Sequence, residues 1–195
     1  MRTRVKICGF TQVDDAVAAA HYGVDAIGLV FYPPSPRNIS IKQAINIVKA
    51  LPAFVSVVAL FVDEQESKIR EVLSKVAVDC IQFHGNETVQ ACRLYNKPYM
   101  KAIRMKPELD VAEIAAQYDD ASALLLDAYH PGIKGGSGSK FDWDLIPNNC
   151  SLPVILAGGL HVDNAKKAVQ TVKPYALDVS SGVESSKGIK DVAKM

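Results

Sequence analysis

Eight short apolar runs punctuate this sequence and alternate with helix-period segments from end to end. They occupy residues 5–8, 26–30, 55–62, 80–83, 100–103, 123–126, 154–157 and 176–179. Each has the length and near-continuous apolarity of a strand buried on both faces. Between them the i, i+3, i+4, i+7 pattern recurs: Val13, Ala16, Val17, Ala20; then Ile41, Ala44, Ile45, Val48; then Ile69, Val72, Leu73, Val76. It returns as Val111, Ile114, Ala115, Tyr118 and as Ala165, Ala168, Val169, Val172. Caps are expected at Thr11/Asp14, Ser40/Gln43, Asp63/Glu66 and Asp110/Glu113. The segments 86–95 and 142–146 make weaker helices. No Asn-Gly or Asp-Gly hairpin joins neighbouring runs, so parallel strands with helical crossovers follow. Five or six such units suit a doubly wound sheet; eight suit a closed barrel.

The fold class expected is therefore α/β, a single-domain (β/α)8 TIM barrel over residues 1–195, with its eighth helix truncated. Ile189, Val192 and Ala193 begin a helical pattern that the sequence stops before completing. Two other nucleotide folds lack their signatures. No G-x-G-x-x-G follows the first run, and the glycine-rich segment 132–140 fits no G-x-x-x-x-G-K-[ST] register.

Composition excludes several classes of partner. The net charge is +1 and apolar residues make up 49%, so the chain should be globular and should bind neither nucleic acid nor a membrane. Cys8, Cys80, Cys92 and Cys150 form no C-x-x-C pair, which leaves a zinc site without support and reads as four thiols in a reducing compartment. No apolar segment follows the basic start, so a cytoplasmic location is expected. The oligomeric state expected is monomer or homodimer.

Two of the runs end in small residues. Gly158 and Gly159 follow Ala157, and Ser180, Ser181 and Gly182 follow Val179. Such turns let backbone N–H groups approach an anion, and a helix starting just after each would add its unpaired N–H groups. In a barrel the loops after strands seven and eight make a phosphate site, so a phosphorylated small molecule is the expected ligand. Each turn alone could equally be an ordinary strand-to-helix connection.

Catalytic groups in a barrel project from strand carboxyl ends. Cys8 ends the first run, ahead of an expected helix start that would lower its thiol from about 8.5. It is either a base or nucleophile or a small buried residue. Asp127 ends the run Ala123-Leu-Leu-Leu-Asp127. It is either a general acid, its protonated form favoured by desolvation, or a loop-start carboxylate bonded to backbone. Arg37, in a proline-stiffened loop, either leans over the mouth or is a surface residue. His84 and Asp178 are weaker candidates that could merely pin loops. Lys6 shares a face with Cys8 by strand alternation and, like Lys101, is either a Schiff-base lysine or a core residue. The long segments 31–39 and 128–141 follow strands, and residues 128–140 are expected to close over a ligand.

Several stretches together resemble the phosphoribosylanthranilate isomerases of tryptophan biosynthesis. They are Val5-Lys-Ile-Cys-Gly9, Gly28-Leu-Val-Phe-Tyr-Pro-Pro-Ser-Pro-Arg37, Gln82-Phe-His-Gly85, Leu125-Leu-Asp-Ala128, Gly135-Gly-Ser-Gly138, Phe141-Asp-Trp143, Leu156-Ala-Gly-Gly-Leu160 and Asp178-Val-Ser-Ser-Gly-Val-Glu184. The resemblance implies a TIM barrel and an Amadori rearrangement of N-(5-phosphoribosyl)anthranilate, with no cofactor and no metal. It implies Cys8 as general base and Asp127 as general acid. Arg37 and His84 would help bind the anthranilate end, and the glycines and serines at 158–159 and 180–182 the phosphate. Phe83 stands where the family commonly has Leu, and the C-terminus is short.

Other readings remain open at this stage. One is a Schiff-base aldolase acting on a sugar phosphate through Lys6 or Lys101. Another is a barrel that holds a phosphate ligand, such as flavin mononucleotide, without catalysis.

Overall fold

The computed structural model describes residues 2–128, 142–147 and 149–195. Eight parallel strands close a barrel in sequence order: β1 (Arg4–Cys8), β2 (Ala26–Val30), β3 (Ser56–Phe61), β4 (Cys80–Phe83), β5 (Tyr99–Met105), β6 (Ala123–Ala128), β7 (Val154–Leu156) and β8 (Ala176–Val179). Side chains alternate between two cores. Val58, Met100, Leu125, Ile155 and Ala176 fill the interior of the barrel. Ile7, Leu29, Phe61, Ile81 and Leu177 face outward and pack beneath the helices. The apolar surface on both faces is what makes each strand read as a continuous apolar run.

The crossovers are unequal. α1 (Val13–His21), α2 (Ile41–Ala50), α3 (Glu66–Lys75) and α5 (Val111–Gln117) follow β1, β2, β3 and β5, and α6 (Val162–Val172) follows β7. After β4 there is only α4 (Val89–Cys92) and a 3-10 turn, and before β7 only a 3-10 turn at Trp143–Leu145 among the described residues. Residues 129–141, with the loop expected to close over a ligand, lie outside the described residues. Of the four expected caps two form. Ser40 and Gln43 make a reciprocal capping box, and Asp110 accepts from the N–H groups of Ala112 and Glu113. Thr11 and Asp63 do not cap. The Thr11 hydroxyl donates to the Gly188 carbonyl, 177 residues away, and Asp63 accepts from the Asn86 N–H.

The expected eighth helix is replaced. Ile189 does not begin a helix but belongs to β10 (Ile189–Lys190), which pairs antiparallel with β9 (Glu184–Ser186), and a 3-10 turn at Val192–Lys194 follows. This hairpin covers the seam where β8 meets β1. It is fixed there by Thr11 and by the Lys190 N–H, which donates to Asp15 at 2.8 Å. The second small-residue turn thus runs into a strand rather than into a helix of its own. No helix among the described residues is long and apolar enough to cross a membrane.

Candidate active site

At the carboxyl ends of the strands one pocket gathers most of the residues singled out above. Cys8, Arg37, His84, Asp127 and Asp178 line it, as do the turns Gly158–Gly159 and Ser180–Ser181. Gly182 does not line it; it pairs with His161 in a single parallel bridge behind the turn. Gly158 needs its glycine, because φ is +80° and a Cβ would lie 2.5 Å from the Ala128 nitrogen. Behind Gly158–Gly159 the chain turns into α6 at Val162, so one of the two turns carries the helix N-terminus expected of an anion site.

Cys8 is buried at the end of β1, in register with Gly28, whose missing Cβ leaves room for the sulfur. α1 begins only at Val13, so no helix N-terminus lowers the thiol as expected from the sequence. Burial instead pushes it up, with Lys6 and Lys190 acting in the opposite direction. Lys6 lies one alternation below Cys8, and its ammonium is 2.8 Å from Asp178 Oδ1. The two are register partners on β1 and β8, so their side chains leave the sheet on the same side. Burial works against the Lys6 charge, but Asp178 and Cys8 outweigh it and raise the ammonium above its ordinary value. Lys101 is different. It is in register with outward-facing Phe83 and bonds Glu87 at 2.9 Å and the Gly85 carbonyl at 2.7 Å, away from the pocket.

Across the mouth, Asp127 is the penultimate residue of β6, with its Oδ2 3.1 Å from His84 Nε2 and its Oδ1 accepting from the Ala128 N–H at 2.9 Å. His84 Nδ1 in turn lies 2.8 Å from Gln82 Nε2. Arg37 reaches the pocket wall with its Nε and Nη2 both donating to Glu184 at 2.7 Å. Burial alone would push the Glu184 carboxyl up, yet Arg37 and Lys190 hold it below its ordinary value. The Lys190 ammonium donates to the Cys8 carbonyl at 2.6 Å, the Ser180 carbonyl at 3.2 Å and Glu184 at 3.0 Å. The Ser180 hydroxyl also donates to the Cys8 carbonyl, at 3.0 Å.

Sequence reasoning assigned no part to Gln82, Glu184 or Lys190. Gln82 had a signal: it lies two residues before His84 and so shares its face. The other two had none, because Glu184 meets Arg37 across 147 residues and Lys190 meets Cys8 across 182. Among the described residues no group of three or more His, Cys, Asp or Glu is placed to hold a metal ion.

A closed eight-stranded parallel barrel with titratable groups and small-residue turns at its carboxyl ends defines a TIM-barrel enzyme with a site for a small ligand. The chain belongs to the N-(5'-phosphoribosyl)anthranilate (PRA) isomerase family, whose model matches residues 5–195. An N-(5'-phosphoribosyl)anthranilate isomerase from Nitrosococcus oceani is 54% identical over 195 residues, covering 100% of this chain and 95% of its own. The crystal structure of phosphoribosyl anthranilate isomerase from Thermotoga maritima superposes with a TM-score of 0.90 at 40% identity, covering 99% of this chain and 95% of that one. A second isomerase structure, in complex with reduced 1-(o-carboxyphenylamino)-1-deoxyribulose 5-phosphate, has a TM-score of 0.83 at 37% identity, with 99% and 94% covered.

Proposed function

We propose that this chain converts N-(5-phosphoribosyl)anthranilate into 1-(2-carboxyphenylamino)-1-deoxyribulose 5-phosphate, with Asp127 as general acid and Cys8 as general base. The observation that carries the assignment is the placement of these two groups. They lie at the carboxyl ends of β1 and β6, two well-separated strands, and line one pocket together with both small-residue turns. Asp127 protonates the ribose ring oxygen, and the ring opens to a Schiff base with the anthranilate nitrogen. Cys8 as thiolate then takes the C2 proton, giving an enolamine. That species tautomerises to the ketone, with loss of the C2 hydroxyl proton and gain of one at C1. Proton transfers of this kind need one acid and one base on opposite sides of the sugar.

The productive form of the free enzyme is the one in which Asp127 holds a proton and Cys8 has lost one. Burial makes that form a minority by raising the thiol. The same shift makes the thiolate a stronger base toward a carbon acid, and Lys6 and Lys190 supply the positive charge that offsets part of the cost. The turns at 158–159 and 180–181 take the phosphate through backbone N–H groups. Binding energy from that remote group orients the reacting carbons. The anthranilate end lies toward Arg37 and His84, and the reaction runs in the cytoplasm. Loss of substrate fluorescence on adding purified chain, with no cofactor supplied, tests the reading. A protein that leaves the substrate unchanged while properly folded would reject it.

A further inference from the structure

Gln82, His84 and Asp127 form a buried chain of polar groups on β4, just beyond it, and on β6. Gln82 is fully buried, and its Oε1 has no hydrogen-bond partner among the described residues. An amide with one end bonded and the other bare can turn over and exchange Nε2 for Oε1 at His84 Nδ1 without changing its number of hydrogen bonds. The two orientations correspond to different protonation states of the pair beyond it. With Nε2 toward the ring the amide donates, Nδ1 accepts, and the one proton of the pair sits on Nε2 facing an ionised Asp127. With Oε1 toward the ring, Nδ1 carries a proton, and a second proton lies between Nε2 and Asp127 Oδ2. Only this two-proton state holds a proton that Asp127 can pass to a substrate.

We propose that Gln82 is a positioning residue for the general acid: its amide carbonyl accepts from His84 Nδ1–H and so holds the His84–Asp127 pair in its two-proton state. When the pair gives a proton to solvent, the remaining one settles on Nε2 and the amide turns to donate. The inference rests on Asp127 being the acid. Asp178 on β8 acts electrostatically on both members of the pair, Cys8 on β1 and Arg37 line the same pocket, and Lys6 is paired to Asp178. Arg104 on β5 donates from Nη2 to the His84 carbonyl at 2.9 Å. None of these reaches Nδ1, whose hydrogen-bond partner is Gln82.

The test compares wild type with Gln82→Glu and Gln82→Met. Glutamate keeps an acceptor at Nδ1 and, ionised, cannot donate. It should move the alkaline limb of kcat/KM upward by about one pH unit, a roughly tenfold gain in proton affinity. Methionine can make neither the donated nor the accepted bond, and the one accepted from the charged ring is the stronger of the two. It should move the limb downward and lower kcat at neutral pH about tenfold, the low end for a general acid, with KM little changed. A packing role would lower kcat and leave the limb where it was. Nitrogen-15 spectra of the substrate-free, histidine-labelled chain supply a readout independent of activity, with the His84 signals assigned by their loss in His84→Asn. Nδ1 should lose its proton over the same pH interval as the kinetic limb, and at higher pH in Gln82→Glu. Coincident limbs in all three forms, or an Nδ1 bare across the whole active range, would overturn the proposal. Wild-type turnover in Asp127→Asn would instead remove the acid assignment, and the spectra would still decide whether Gln82 governs His84.

Discussion

Replacing Lys190 by Met keeps the reach of the side chain and deletes its charge from a buried position. Three interactions go at once: 2.6 Å to the Cys8 carbonyl, 3.2 Å to the Ser180 carbonyl and 3.0 Å to Glu184. None of the three partners is left bare: the Ser180 carbonyl still accepts from the Val183 N–H at 3.4 Å. The Cys8 carbonyl retains the Ser180 hydroxyl, and Glu184 retains both bonds from Arg37. Removing one member of an isolated buried pair costs about 3–5 kcal/mol, and the surviving partners bring the expectation here to about 2–3 kcal/mol. At roughly 2–4 °C per kcal/mol for a chain of this size, the unfolding midpoint should fall by about 4–12 °C. Thermal melts followed by circular dichroism measure it. A midpoint within about 2 °C of wild type, inside the shift of a single kcal/mol, would refute the view that the β9–β10 hairpin clamps the β8–β1 seam through Lys190.

Glu184 makes the same region sensitive to acid. Its folded-state value lies below the ordinary 4.5, so its charge stabilises the fold above that pH, and the contribution is lost as pH falls through the lower folded value. Denaturant unfolding of Glu184→Gln should therefore lose less stability than wild type as the pH drops below 4.5, and parallel acid slopes would contradict this. Cys8 in the substrate-free chain should react slowly with iodoacetamide at neutral pH and faster only as the pH rises beyond the ordinary thiol value of about 8.5, whereas rapid neutral alkylation would show that burial does not control the thiol. Gly158→Ala puts a Cβ 2.5 Å from the Ala128 nitrogen at a φ of +80°, so KM should rise at least several-fold through displacement of the turn. An unchanged KM would remove that turn from the substrate site.

The barrel was legible because it is written in local pattern. Eight apolar runs buried on both faces carry their own signature, and β2, β4 and β8 match their runs residue for residue. The Ser40 cap was legible for the same reason, since its partner Gln43 is three residues away. Thr11 misled because a hydroxyl has no sequence-level means of choosing between its own helix and a carbonyl at Gly188. The hairpin misled because Ile189, Val192 and Ala193 fit a helical period over too few residues to tell helix from strand. At the site, strand ends identified Cys8, His84, Asp127 and Asp178, since position along a strand is local information. The environment of Cys8 was not legible. Whether a thiol meets a helix end or a dry interior depends on four residues of connection and on a lysine from the far end of the chain.

The most direct test of the account is the turnover of Cys8→Ala with N-(5-phosphoribosyl)anthranilate, followed by fluorescence at saturating substrate. Gly28 faces the side chain, so the smaller residue fits without collision and the fold should be kept. Loss of a general base predicts a fall in kcat of roughly 100-fold or more, with KM little altered because the phosphate and anthranilate contacts remain. A Cys8→Ala chain with near wild-type kcat would contradict the account. The thiol would then be a packing residue, and the base would have to be sought elsewhere at the mouth, beginning with Asp178.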